Sequence, residues 1–201
     1  MEKFKIVSAQ AAVLLRPNIN TDVIIRINRA ALPRSELGRY AFEAWRFRSD
    51  GGEEPEFVLN MPVYRGAKIL LAGPNFGCGS SREHAVWALQ GAGIRCVIAP
   101  SFGDIFFGNC FQNGVLPVIL PAESVMELAA AVESTAPCMT TVDLEQQVVI
   151  APNAARYHFH VEPLRRTQLL DGLDEIALTL RDGATVDRFQ SADRLRRPWI
   201  Y

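Results

Sequence analysis

Apolar and polar positions divide the chain into stretches of different period. Residues 11–15 (Ala-Ala-Val-Leu-Leu) and 22–27 (Asp-Val-Ile-Ile-Arg-Ile) are short apolar runs, and Arg16-Pro17-Asn18-Ile19-Asn20 between them marks a polar turn. The pattern predicts two short strands there. From 28 to 62, charges, aromatics and Gly51-Gly52 mix without a sustained period, apart from a helix predicted over 38–46. A stretch this long outside the core is uncommon unless it binds something or is disordered. From Lys68 onwards, strands predicted at 68–72, 94–99 and 115–120 alternate with helices at 82–90, 102–112 and 123–133. The punctuation agrees: Gly91 and Gly93 follow the first of these helices, Asn113-Gly114 follows the second, and Ser101-x-x-Asp104 predicts a cap at the second helix's start. The tail returns to strands over 140–150 and 157–161, then a helix over 163–171 and a closing Arg197-Pro198-Trp199. This order predicts an α/β fold.

With 201 residues, 49% hydrophobic and 21% charged, the chain is long enough for one sizeable core, and residues 1–201 are read as a single domain. Its 21 Lys+Arg nearly balance 22 Asp+Glu, a net charge of -1. Such a balance supplies no long-range field for nucleic acid or an anionic membrane, so an anionic substrate has to be held by local groups. The start, Met1-Glu2-Lys3-Phe4-Lys5-Ile6, has no signal-peptide core, and no apolar run nears the roughly 20 residues that span a bilayer, which predicts a cytoplasmic protein. Cys78, Cys96, Cys110 and Cys138 are scattered and form no C-x-x-C pair, as expected of reduced thiols.

The most informative stretch is Gly73-Pro74-Asn75-Phe76-Gly77-Cys78-Gly79-Ser80-Ser81-Arg82-Glu83-His84, between a predicted strand and a predicted helix. Ser80-x-x-Glu83 fits a capping box, a purely structural use of the serine. Beside it stands a chemical reading. Arg82 and two hydroxyls converge on a helix N-terminus, where unpaired N–H groups and the helix dipole attract carboxylates or phosphates and would stabilise a serine alkoxide. The third glycine of G-x-G-x-x-G is missing, no G-K-[ST] follows, and neither serine sits in G-x-S-x-G. Dinucleotide, P-loop and serine-hydrolase readings therefore fail.

Taken together, Asn75-Phe76-Gly77-Cys78-Gly79-Ser80-Ser81-Arg82-Glu83-His84-Ala85, Trp87-Ala88-Leu89, Val97-Ile98-Ala99-Pro100-Ser101-Phe102 and Asp104-Ile105-Phe106 resemble the swivelling domain of the aconitase superfamily. More narrowly, the chain resembles small subunits of 3-isopropylmalate dehydratases, with further support from Asn20-Thr21-Asp22-Val23-Ile24-Ile25, Phe57-Val58-Leu59-Asn60 and Leu169-Leu170-Asp171-Gly172-Leu173-Asp174-Glu175-Ile176. The resemblance implies a swivelling β/β/α domain with a largely parallel sheet. It implies that Ser80 is the catalytic base, that Arg82 binds a substrate carboxylate, and that Ser81 and Gly79 shape the site. Glu83 and His84 are placed just behind these groups, and Ile25, Arg26 and Ile27 in a substrate-specificity segment. No cofactor is expected in this chain; a 4Fe-4S cluster is expected in a separate large subunit, the implied partner, and the substrate is a small dicarboxylate. Two positions depart from the common family pattern: Val86 and Arg26 stand where proline is frequent.

Other candidates have plainer readings. Cys78 reads as a small packed residue and Cys96 and Cys110 as buried inert thiols. His84 could reach a substrate or bond the loop, and His158-x-His160 suits a metal site or an exposed strand equally, so no metal is assigned. Within the superfamily, subunits acting on citraconate, 2-methylmalate or homoaconitate remain alternatives, and a non-catalytic anion-binding module is the alternative of another class.

Overall fold

Strand β1, Ile6–Leu14, pairs along both edges and in two senses. Its first half runs antiparallel to β5, Met139–Asp143, from Ile6 opposite Asp143 to Gln10 opposite Met139. Its second half runs parallel to β2, Ile69–Ala72, from Ala11 opposite Ile69 to Leu14 opposite Ala72. In this computed structural model, which describes residues 1–135 and 139–201, the strand thereby joins a parallel and an antiparallel wing. The parallel wing adds β3, Cys96–Ala99, and β4, Leu116–Ile119; the antiparallel wing adds β6, Val148–Ile150, and β7, Arg156–His158. The seven-stranded sheet has the order β4-β3-β2-β1-β5-β6-β7. Strands β1 to β4 and β6 point one way, β5 and β7 the other.

Side-chain alternation along these strands divides the interior into two cores. Ala12, Leu70, Ala72, Val97 and Ala99 face one, and Ala11, Ile69, Leu71, Cys96 and Ile98 face the other. Against the first lie α4, Glu83–Gly91, and the irregular stretch before β2; against the second lies α6, Ala122–Ser134. Continuous apolar strands are expected when both faces are covered, and β2 and β3 are buried throughout.

From β2 to α6, and again at α7, Pro163–Asp171, the elements start and end within one or two residues of the predicted ranges, among them α5, Asp104–Asn113, whereas β1 starts at Ile6, well before the expected 11–15, and β7 ends at His158, short of the expected 161. Four expectations are corrected. Residues 22–27 are not a strand: the Asn20 side chain accepts from Val23 N at 2.9 Å and starts a one-turn helix α1, Thr21–Ile24. A local cap outweighs the β-branched composition there. The helix expected over 38–46 is interrupted, because Phe42 is left-handed (φ 57) with its ring buried beside Trp45 and Phe57; a 3-10 turn, Gly38–Tyr40, precedes it and α3, Glu43–Arg46, follows. Residues 140–150 form a hairpin instead of one strand, since the Asp143 carboxylate accepts from Gln146 N at 2.8 Å and turns the chain. Ser101 does not cap α5; Gly103 holds that position. Residues 175–196, for which the pattern predicts nothing, form α8, Glu175–Leu180, and α9, Gly183–Arg196.

Helix α4 is held at close range to the irregular stretch. A Cβ on Gly38 would lie 2.1 Å from the Gly91 carbonyl carbon, so backbone meets backbone. Helix α2, Arg34–Leu37, leads into that contact. We expect Gly38→Ala to destabilise the protein by about 1–3 kcal/mol through overpacking. Gly108→Ala, whose Cβ meets nothing within 4 Å on helix α5, is expected to be stabilising by about 0.5–1 kcal/mol. Urea midpoints of the two variants measure the contrast.

Candidate functional site

The loop after β2 is stitched on both sides to the loops after β1 and β3. Gly77 N donates to Ile19 O at 2.7 Å, Thr21 N to Cys78 O at 3.0 Å and Asn18 N to Pro74 O at 2.9 Å. On the other side Phe76 N donates to Ser101 O at 3.1 Å and Gly103 N to Phe76 O at 2.9 Å, while Ser101 Oγ accepts from Asn75 N at 2.8 Å. The serine expected to cap α5 thus holds the neighbouring loop instead. The Phe76 ring is fully buried, 5.5 Å centroid to centroid from Phe106. Gly77 is required twice over, by φ +72 and by the Phe106 ring that any Cβ would meet at 2.2 Å. These contacts leave the tip of the loop, Gly79, Ser80 and Ser81, exposed at the C-terminal end of the parallel strands, where ligand loops of open α/β sheets lie.

The capping box is corrected by the geometry. Helix α4 begins at Glu83 with Arg82 at the cap position and no side-chain cap bond. Glu83 does not reach back to Ser80; its carboxylate accepts from Asn113 Nδ2 at 2.8 Å, and Asn113 Oδ1 accepts from Trp87 Nε1 at 2.8 Å. Asn113 is buried, so this network fixes the first turn of α4 against α5. His84 packs edge-on to Trp87 with ring centroids 4.8 Å apart. Freed from capping, Ser80 keeps its backbone in place through its carbonyl, which accepts from Thr21 Oγ1 at 3.1 Å and Arg82 N at 2.8 Å. Among the described residues neither the Ser80 nor the Ser81 hydroxyl is committed to a hydrogen bond.

Arg82 pairs with Asp22 of α1, and its side chain is only 20% exposed. Asp22 is the residue that sequence reasoning passed over as a functional group; an acid beside Thr21, in the segment bonded to this loop, is the only signal for it. Ser80 and Gly79 line a cleft of about 320 Å3 together with Cys78, Asp104, Ile105 and Phe106. Cys78 is half-buried and faces this cleft, so it is less packed away than expected. Among the residues expected to set specificity, Ile25 is buried and points into the core, whereas Ile27 is 60% exposed and Arg26 lies 3.4 Å from Glu43.

Cys96 and Cys110 are fully buried, and burial pushes both thiols well above their ordinary range. Cys138 lies outside the described residues. His158 and His160 are exposed, and among the described residues no group of three or more His, Cys, Asp and Glu could hold a metal ion. No helix among them is long and apolar enough to cross a membrane.

The geometry has counterparts in known proteins. A model of the aconitase C-terminal domain matches residues 1–123, and a second, LeuD_N, matches residues 126–163. The 3-isopropylmalate dehydratase small subunit of Rhodospirillum centenum is 50% identical over 99% of this chain and 98% of its own. That of Cupriavidus necator is 52% identical over 100% of this chain and 99% of its own. Among solved structures, 3-isopropylmalate dehydratase from Methanocaldococcus jannaschii superposes with a TM-score of 0.68 at 25% identity, covering 91% of this chain and 99% of that one.

Thr21→Val keeps the side chain's shape and removes the hydroxyl that holds Ser80 O. We expect a loss of about 0.5–1.5 kcal/mol, seen as roughly 2- to 10-fold faster hydrogen exchange at the Thr21 and Arg82 amides. Amide exchange followed by NMR reads both sites.

Proposed function

The chain belongs to the 3-isopropylmalate dehydratase small-subunit family of the aconitase superfamily, and on that premise we propose that residues 1–201 work as one swivelling unit that supplies half of an active site. The reaction is the interconversion of 2-isopropylmalate and 3-isopropylmalate by loss and re-addition of water through 2-isopropylmaleate, a step of leucine biosynthesis in the cytoplasm. Ser80 is the base and Arg82 the carboxylate ligand. The observation that carries this reading is the uncommitted Ser80 hydroxyl, exposed on a cleft that its loop forms with the first turn of α5.

The aconitase family implies a 4Fe-4S cluster, which we assign to a large partner subunit. There it would supply Lewis-acid assistance to the departing hydroxyl. This chain's share is positioning and proton handling. The α4 N-terminus presents the positive end of the helix dipole, which favours an alkoxide on Ser80 and so lowers the cost of making a weak acid into a base. Ser80 Oγ then takes the proton from one substrate carbon as the hydroxyl leaves its neighbour, and in the reversed hydration gives the proton to that neighbour while hydroxide adds to the first carbon. Arg82 offers a planar fork to one substrate carboxylate, and Asp22 holds that fork ready until the substrate arrives. Amides of Gly79 and Ser81 are free of backbone partners and complete the anion-binding rim. Glu83 and His84 act through the rigidity of α4. Arg26 and Ile27, which leave the core where Ile25 enters it, are assigned to the contact with the substrate's alkyl group.

Ser80→Ala is expected to abolish turnover of the assembled enzyme, with the cluster content verified, while the stability of the isolated chain changes by less than about 0.5 kcal/mol because no hydrogen bond is lost. Near wild-type turnover would remove Ser80 from the mechanism. Arg82→Lys is expected to raise KM for isopropylmalate and to lower kcat, since an ammonium cannot reproduce a two-bond grip. Steady-state kinetics with both isomers as substrate decide this, and unchanged parameters would contradict the assignment.

A further inference from the structure

A larger cleft, about 590 Å3, opens over the irregular stretch that follows α1. Four guanidinium groups line it, those of Arg26, Arg29, Arg39 and Arg48, and no lysine does. In a chain of net charge -1 this is a strong local concentration of one sign. Two of the four share one buried carboxylate. Glu43, 9% exposed, lies 3.4 Å from Arg26 Nε and 2.9 Å from Arg29 Nη2. The other two pair with surface carboxylates, Arg39 with Glu36 at 3.4 Å and Arg48 with Asp50 at 3.8 Å, and Arg39 Nη2 also donates to the Tyr40 hydroxyl at 2.8 Å. Exposed pairs of this kind contribute little and exchange readily for a better partner.

The arginines are carried by separate pieces of backbone: a 3-10 turn, Ile27–Arg29, the turn Gly38–Tyr40, and the chain beyond α3. The Tyr40 ring serves two of them at once, with Arg29 4.1 Å and Arg39 4.8 Å from its centroid. Donors distributed in this way along an open trough suit a row of carboxylates better than one compact anion. Arginine with tyrosine, without lysine, is also the composition that marks the centres of protein interfaces. The trough adjoins the Ser80 site through shared backbone: α1 carries Asp22, the partner of Arg82, and Phe42 N donates to Ile24 O at 2.8 Å, tying the start of α3 to the end of α1. A subunit that covers the Ser80 cleft reaches the trough by continuing across α1.

We propose that the arginine-lined trough is the docking surface for an acidic segment of the large subunit, a loop or strand carrying several Asp or Glu side chains. The inference rests on the reading of this chain as half of a two-subunit enzyme. Its test is the full-length chain carrying Arg39→Glu with Arg48→Glu, titrated against the cluster-loaded large subunit at low and high salt. Turnover is measured at saturating small subunit. The double variant is expected to bind at least about tenfold more weakly at low salt, and the wild type's affinity, not the variant's, is expected to fall steeply as salt rises. Turnover at saturation is expected to stay within about twofold of wild type, because neither residue touches the substrate. The pair Arg39→Gln with Arg48→Gln is expected to lose affinity to an intermediate degree, and it decides the question if the charge-reversed chain does not fold. Equal affinity and equal salt dependence of folded variant and wild type would overturn the docking surface. So would intact association with lost turnover, which would make the trough a small-anion site. Failure of the wild-type chain to bind the large subunit at all would instead overturn the functional reading beneath it.

Discussion

Backbone hydrogen bonds that carry the parallel sheet past its last strands are what the rest of the molecule depends on. Residues 76–78 bond to Ile19 and Thr21 on one side and to Ser101 and Gly103 on the other. They behave as a short continuation of β2 after its regular ladder has ended. Because buried backbone groups must be paired, this arrangement lets the loop turn sharply at Gly77 without leaving orphaned donors under Phe76 and Phe106. What projects beyond it is a rigidly based tip, and Ser80 sits on that tip. A reacting group on a floppy loop would forfeit much of the rate gained by holding reactants in line.

The alternating core was legible because its signals are redundant. In β2 and β3 every residue is buried, α4 and α5 are each followed by glycine, and the short length of the apolar runs between such breaks favours strands. Four of the failures share a cause, which is a side-chain hydrogen bond that the apolar pattern cannot reveal. Asn20 turns a β-branched run into helix α1, Asp143 folds one apparent strand into a hairpin, and Ser101 and Glu83 have the right spacing for caps yet bond across loops to Asn75 and Asn113. Helices α8 and α9 were invisible for a different reason. Their apolar residues, among them Ile176, Phe189 and Leu195, are exposed, so no one-sided stripe distinguishes them.

For the site, the motif named the neighbourhood but not its internal order. Ser80, Ser81 and Arg82 are adjacent in sequence, and that adjacency was enough to mark the loop. It could not show that Arg82 is already held by Asp22, nor that Ser80 is anchored by its carbonyl and not its hydroxyl. The second point matters most for chemistry, because a serine spent on capping has its lone pairs engaged, whereas this one is free to exchange a proton. The cleft around it is lined by Ser80, Cys78, glycines of the loop and Asp104, and Arg82 is not among its lining residues. A dehydratase with this division of labour needs its other half to close over the loop, which also excludes the water that would compete for the Arg82 fork.

Anaerobic reconstitution with iron and sulfide, carried out in parallel on this chain, on the large subunit and on their mixture, tests the account most directly when cluster absorbance and isopropylmalate turnover are read in each. Absorbance is predicted to follow the large subunit, with turnover only in the mixture. Stoichiometric cluster absorbance together with turnover in this chain alone would contradict it.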